Sequence, residues 1–527
     1  MPDTRRPRVE LLEDRLAPAA AGSFDPTFGT NGVVNITSGG VYRLASTPDG
    51  DFLALSGTPR FVSGLTQPGF SGPFSLALFG PNGMPDPAFG TGGAVTIPGS
   101  TGVPILTALP DGGALVGWNE PDAARGTTDF DLARVTAAGA IDTTFGSGGT
   151  AVVPTPGGSS TADLAAVVLQ PDGQILLGGD QIQALNDGSG QTPAGQLLVV
   201  RVSAAGQPDP TFGAGGTAVV PFPVGSSNYA TGGGLAVQPD GRIVLAGSAL
   251  VSAQTQSTPV AVRLTAAGQP DPTFGSGGRV QVTFPQQYTG NFQTVGIQAD
   301  GRVVLAGLVV TNPTSTGFPL PAADGAARLT ADGQLDPTYG TGGVSVGGEI
   351  TTVLDSGTNG VILNAAIDSS GRVVFDAAIY NDIRIRGFVD SATVSRLTAD
   401  GATDGGFGTN GTVTFDSLGR TTPPLIWMPG LTLQSNGNIL LSGTAQEAGP
   451  FRMVQLIGSN PPSGFVAATT GTLVAGGPAD GTIQVLNPTS GTYSLAGTVT
   501  AFPGFAGNVR VATADVNGDG IPDYIFG

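Results

Sequence analysis

The chain has 527 residues, of which 86 are Gly and 42 Pro, yet 39% are hydrophobic. A chain of this length can bury roughly three quarters of its unfolded surface, so the composition describes a globular protein with many turns. Its formal charge of −18 opposes a polyphosphate partner, and its basic residues are all Arg; with no His, Cys or Lys, the Ser-His-Asp and Cys-His nucleophile systems, the usual zinc sites and Schiff-base lysines are excluded, which leaves chemistry built on carboxylates, Tyr or Arg.

Residues 3–19 read DTRRPRVELLEDRLAPA. Arg5, Arg6 and Arg8 precede a short mixed segment, residues 9–16, and then a small-residue stretch, residues 17–21. Glu10, Glu13, Asp14 and Arg15 interrupt the apolar core that an ordinary secretory signal needs. Arg5, Arg6, Glu10, Leu12, Glu13, Arg15 and Leu16 resemble the planctomycete-type extracellular N-terminal motif. That resemblance implies export to the cell envelope or beyond; the alternative is a solvated tail with no address. No apolar run approaches the roughly 18 residues of a membrane span.

From residue 25 onward one motif recurs. DPTFGTNG begins at Asp25, and variants begin at Asp86, Asp142, Asp209, Asp271, Asp336 and Asp404, spaced 56–68 residues apart. A second landmark follows each copy, for example QPDGR at 238–242, and a third closes the unit, for example VRLTAAG at 262–268. Residues 235–247, LAVQPDGRIVLAG, are two apolar runs joined by Pro-Asp-Gly, which reads as a hairpin: Pro presets the first turn dihedral, Asp bonds to nearby backbone and Gly takes positive φ. The Ala/Val-Arg-Leu segment supplies a third strand and the run after the Asp motif, such as 277–284, a fourth. Four strands in each of seven units predict an all-β, seven-bladed β-propeller, whose closure protects most strand edges. The units fall near 22–82, 83–139, 140–206, 207–268, 269–333, 334–401 and 402–458. An open β-solenoid is the other architecture considered.

These units resemble the delta-60 repeat family, with residues 268–278 (GQPDPTFGSGG) and 238–243 (QPDGRI) carrying the likeness. The resemblance covers residues 22–458. It implies a propeller of bacterial secreted or surface proteins and no shared catalytic activity.

The motif itself allows two readings. Seven Asp residues and a companion ring of Arg134, Arg201, Arg263, Arg328 and Arg396 could bind an anionic sugar or cations at one mouth. Alternatively Asp caps a turn, Pro fixes φ, Phe (Tyr339 in one copy) plugs the gap between blades, and the glycines permit a sharp blade-to-blade crossing. Repetition in every unit favours the second, structural reading. The Gly runs lead into strands and are followed by no Gly-Lys-Ser/Thr, so they are not phosphate loops.

After residue 459 the rhythm changes, and NPPSG (460–464) reads as a linker. The chain ends NVRVATADVNGDGIPDYIFG (508–527). Asp515, Asn517, Asp519 and Asp523 lie at positions 1, 3, 5 and 9 of a loop with Gly520 at position 6, a pattern in which alternate oxygens converge on one hard cation, with the Ile521 carbonyl adding another. Position 12 is Phe526 and the flanks read as strands, so this is not an EF-hand. It resembles the FG-GAP/VCBS repeat of integrin-α-like propellers, which implies Asp515, Asn517, Asp519, Ile521 and Asp523 as Ca²⁺ ligands. Residues 459–527 are too few for a second propeller, and truncation is expected.

The expectation is therefore a tail (1–21), a propeller (22–458) and an incomplete FG-GAP-like segment (459–527). The whole is a monomeric, non-enzymatic binding or adhesion protein at the cell surface or beyond, stabilised by Ca²⁺, with an extracellular protein or glycan as partner. A carboxylate-based lyase or glycosidase in the central channel is the alternative, and a spacer within a larger surface protein is the third reading. Loops 181–197 and 310–325 vary most between units and are the expected seat of specificity.

Overall fold

The computed structural model describes residues 20–458, except 37–39, 61–68, 100, 103, 157–159, 184–193, 222–229, 250–257, 286–288, 311–321, 351–359, 381–388, 417–426 and 445–450; beyond 458 it describes the strands between 465 and 526. One compact unit runs Gly22–Gly458, and a second takes in the residues from Ser459 onward.

The first unit is a seven-bladed β-propeller of four-stranded antiparallel sheets. Blades 1 to 6 span residues 40–97, 105–153, 160–221, 230–281, 289–350 and 360–416. Blade 4 shows the pattern: an inner strand Ala230–Val237, a second Ile243–Ala249, a third Thr258–Leu264 and an outer strand Arg279–Gln281, paired in that order. Inner strands of successive blades lie side by side around the ring, and that of blade 7 (Trp427–Leu433) lies beside that of blade 1 (Gly40–Ser46).

Each sheet is covered on both faces, which explains the continuous apolar runs. In the second strand of blade 4, Ile243 and Leu245 pack with blade 3 while Val244 and Ala246 pack with blade 5. Alternate residues of one strand thus join two different cores.

Blade 7 is assembled from both ends of the unit. Its outer strand is Val33–Ile36, which pairs with Phe451–Leu456 in the register Val33↔Val454 to Ile36↔Phe451. The sequence units are therefore out of phase with the blades by one strand. This corrects one expectation: the Asp-Pro-Thr-Phe-Gly motif does not cross from blade to blade. It joins the third strand to the outer strand of the same blade, as between Leu264 and Arg279. Its aromatic residue does fill the gap to the next blade. Phe274 is fully buried in the core shared by blades 4 and 5, a burial that contributes about 1.5–3 kcal/mol. Gly333 of blade 5 has φ +83°, and a Cβ there would come within 2.9 Å of the Phe274 ring.

The topology sorts the connections. The Pro-Asp-Gly turns and the Asp motifs share one face, hereafter the turn face. The connections from second to third strand and from outer strand to the next blade leave the opposite face, and many lie among the residues not described, including 184–193 and 311–321.

The second unit contains a four-stranded antiparallel sheet (Phe465–Val466, Leu473–Gly476, Thr482–Thr489, Thr492–Thr500) and a two-stranded pair, Val511–Ala514 with Asp523–Phe526.

Candidate functional site

The repeated charges come first, because they were the most conspicuous candidates. In blade 4, Asp271 Oδ1 accepts hydrogen bonds from the Thr273 N–H (3.0 Å) and hydroxyl (2.7 Å), closing the turn. Its Oδ2 pairs with Arg263 Nε at 2.8 Å, and both side chains are buried. Arg263 also donates to Thr273 Oγ1 and to the Ala331 carbonyl of blade 5, and its guanidinium lies 4.5 Å from the Phe274 ring centroid. One Arg thus ties a turn Asp, an aromatic plug and the next blade together. Burial alone would raise the Asp271 pKa, but the Thr273 hydrogen bonds and the Arg263 charge outweigh it and hold the carboxyl below its usual value.

The same latch recurs as Arg201–Asp209 (2.8 Å), Arg328–Asp336 (2.9 Å) and Arg396–Asp404 (2.8 Å), each Arg stacked on its Phe or Tyr. It is looser in blade 2, where Arg134 Nε is 3.7 Å from Asp142. In blades 7 and 1, which flank the closure, Gln455 and Leu78 stand in the Arg position. There Asp25 accepts instead from Asn438 Nδ2 at 3.0 Å, and Asp86 caps the Ala88 N–H at 2.8 Å. The Asp residues close turns, and Arg134, Arg201, Arg263 and Arg328 each reach a carbonyl of the next blade, in agreement with the structural reading.

The expected metal ligands fall differently. Asp515, Asn517, Asp519 and Ile521 lie outside the described residues. Asp523 opens the strand Asp523–Phe526 and is the register partner of Ala514. Among the described residues no group of three or more carboxylates is arranged to hold a metal ion.

Sequence reasoning missed a second set of polar groups, near the inner strands. Six inner strands carry a register shift, at Val41/Arg43, Leu164/Ala166, Gly232/Leu235, Phe292/Thr294, Ile362/Asn364 and Trp427/Gly430. A bulge frees backbone groups from the ladder, and these must be satisfied elsewhere. Asn119 of blade 2 accepts from the Leu164 N–H of blade 3 (2.9 Å), and Asp180 of blade 3 accepts from the Gly232 N–H of blade 4 (2.7 Å). In blade 6 the Asn364 N–H donates to Asp376 (2.6 Å). Asp324 of blade 5 accepts from the Ser395 hydroxyl of blade 6.

These carboxyls lack the Arg partner of the latches. Burial drives Asp376 up to about 8, with Asn364 and Arg43 opposing the shift and Asp324 adding to it. Burial also raises Asp324 to about 6 and Asp180 to about 7, the latter helped by Asp163. Arg43, half-buried on the inner strand of blade 1, is lowered to about 10 by burial, against the pull of Asp376. Asp163 and Asp180 are register partners on adjacent strands of blade 3, and Asn119 Nδ2 donates to Asp163 at 3.0 Å. A sequence signal existed: an Asp inside an otherwise apolar strand, as in ILLGGDQI (175–182) and VVFDAAIY (373–380).

Comparison with known proteins adds the following. Residues 238–274, from the hairpin turn of blade 4 to its plug Phe274, match a family described as a domain of unknown function (DUF5122) β-propeller. No curated protein matches. Among solved structures, the chain is similar to the GH93 α-L-arabinofuranosidase of Fusarium graminearum with arabinobiose: 12% identity, 67% of this chain and 92% of that one, TM-score 0.36. It is similar also to the β-propeller domain of the Trilobed protease from Pyrococcus furiosus: 9% identity, 80% and 95%, TM-score 0.36. The NanB sialidase from Streptococcus pneumoniae gives 10% identity, 67% and 68%, TM-score 0.35. Likeness at this level says nothing about activity.

Proposed function

We propose that this chain is an exported propeller that works by binding an extracellular protein or glycan, with a Ca²⁺-ordered hairpin at residues 515–523. The observation that carries the reading is the fate of the repeated charges. Asp and Arg residues that could have formed a reactive ring close turns and join blades instead, and the chain has no His, Cys or Lys to take their place. Export rests on the likeness of Arg5, Arg6, Glu10, Leu12, Glu13, Arg15 and Leu16 to the extracellular N-terminal motif. Calcium rests on the spacing of Asp515, Asn517, Asp519 and Asp523 in the sequence that links two paired strands and opens the second.

The test is a binding screen of the full chain against glycans and envelope components, with Ca²⁺ and with chelator. Absence of any saturable partner overturns the binding reading. Calorimetric titration of Ca²⁺ into the chain and into its Asp519→Ala variant tests the metal; equal heats remove it.

One observation favours a second reading, a carboxylate-based glycosidase. Asp163 and Asp180 face each other across one strand pair with raised pKa values, and carboxyls about 5–10 Å apart perform glycoside hydrolysis. Release of reducing ends from polysaccharides, abolished in Asp163→Asn, would establish it; no release from any polysaccharide tried rejects it.

A further inference from the structure

The latch logic implies that a ligand site should lie where one sector departs from the repeat. On the turn face the residue after the turn Gly is Arg in blades 4, 5 and 6 (Arg242, Arg302, Arg372), but Asp51, Gly113, Gln174 and Asn438 in the others. Arg242 and Arg302 are about two-fifths exposed. Each fixes its Nε on the latch Asp of its own blade, at 2.9 Å to Asp271 and 3.0 Å to Asp336. Each also holds the turn Asp, Asp240 or Asp300, through Nη1. That leaves Nη2 of both guanidiniums without a hydrogen-bond partner among the described residues, in side chains already held rigid.

Two grooves open beside them. One, of about 500 Å³, lies between blades 4 and 5 and is lined by Gln238, Arg242, Asp300 and Asp332. The other, of about 750 Å³, lies between blades 5 and 6 and is lined by the equivalent Gln298, Arg302 and Asp400, with Asp300 again in its wall. The grooves are thus successive copies of one site, one blade apart, sharing Asp300. In each, a Gln side chain donates to the backbone of the next blade, Gln238 to the Gly301 carbonyl and Gln298 to the Ser370 carbonyl. Its Oε1 is buried without a partner, as is that of Gln170 at the same place in blade 3.

Taken together, each groove offers a fixed guanidinium donor and carboxylate acceptors. That combination matches adjacent hydroxyls, which both donate and accept. An anion is disfavoured, because Asp240, Asp300 and Asp332 outnumber Arg242 and Arg263 in the first groove. We infer that the turn face of blades 4 to 6 binds a neutral oligosaccharide, one unit in each groove. The inference rests on the binding reading above and names its ligand class and its place.

The experiment uses the full chain with immobilised neutral and uronic-acid polysaccharides of several residues. Asp300→Ala touches both grooves. Asp172→Ala removes the equivalent turn cap of blade 3, where Asp172 accepts from the Gln174 N–H at 3.0 Å, and is the control; thermal unfolding verifies that both variants fold. The expected result is saturable binding of a neutral polysaccharide, weakened at least tenfold by Asp300→Ala and unchanged by Asp172→Ala. Equal binding by the two variants, or binding confined to uronic-acid polymers, overturns the inference while leaving the binding reading intact. A chain that binds nothing overturns both.

Discussion

The latches of the turn face and the polar groups near the inner strands solve one problem, joining neighbouring blades, in opposite electrostatic ways. In the latch a charged Asp meets a charged Arg, and its pKa falls. Near the inner strands an Asp meets backbone, amide or hydroxyl donors in place of a paired Arg, and its pKa rises. The difference teaches that repetition marks the first kind of joint and singularity the second. The latch answers a turn that occurs in every blade, whereas the bulges of six inner strands are answered by side chains that differ from blade to blade.

The largest effect is expected from breaking a latch. Arg201→Ala leaves the partly buried Asp209 without its partner, and blade 3 has Gln174 where blade 4 has Arg242. A loss of about 3–5 kcal/mol follows, read as a shift of the urea midpoint at constant slope. Arg263→Ala should cost about half as much by the same measurement, because Arg242 still reaches Asp271. Equal losses would mean that the second Arg contributes nothing to the joint.

Breaking an inner joint costs less. Asn119→Ala removes the acceptor of the Leu164 N–H and should destabilise by about 1–3 kcal/mol, measured in the same way. A neutral result would show that the bulge N–H is satisfied by water.

The two kinds of joint also respond to pH in opposite senses. An unfolded Asp titrates near pH 3.9. Asp180 and Asp376, at about 7 and 8 in the folded chain, bind protons that the unfolded chain has released. Their contribution is therefore complete below about pH 4 and is lost as pH rises through 7 and 8. The latch carboxyls, with lowered values, contribute above about pH 4 and lose that contribution as pH falls. Thermal stability should peak on the mildly acidic side and decline toward pH 8.5. Asp376→Asn keeps an acceptor for the Asn364 N–H without a titrating group, so it should change the midpoint little at pH 5 and flatten the decline. An unaltered decline would place its cause elsewhere.

The smallest effect concerns the second unit. Chelation of Ca²⁺ should abolish the binding heat assigned to residues 515–523 and leave the melting of the propeller unmoved, followed by the fluorescence of its two tryptophans, Trp118 and Trp427. A shift in that transition would show that the propeller itself binds the ion.

Much of the architecture was legible in consecutive residues. Gln238-Pro239-Asp240-Gly241 announces a hairpin because its turn chemistry is local, and the recurrence of Asp271-Pro272-Thr273-Phe274-Gly275 counts the blades. Even the partnership of Arg263 with Asp271 is near in sequence, across the turn that Asp271 itself caps. The inner carboxyls were illegible because Asp180 and Asp376 each occur once, so no repetition exposes them. Their role depends on a bulge in a neighbouring strand. Asn119 meets Leu164, 45 residues away and in another blade.

By itself, then, the sequence determined the number of blades, the strands within them and the turns that join those strands, since all three follow from local φ preferences and the spacing of one motif. The phase between unit and blade was decided only by tertiary structure. Val33 pairs with Val454, a contact between the two ends of the propeller that no local preference encodes. Ring closure decides it, because an unpaired last strand would leave a hydrogen-bonding edge open to solvent and to other chains. Which charges are buried, and hence which Asp residues hold protons near neutrality, was likewise decided by the neighbouring blade, because desolvation depends on what packs against a side chain and not on what adjoins it in the chain.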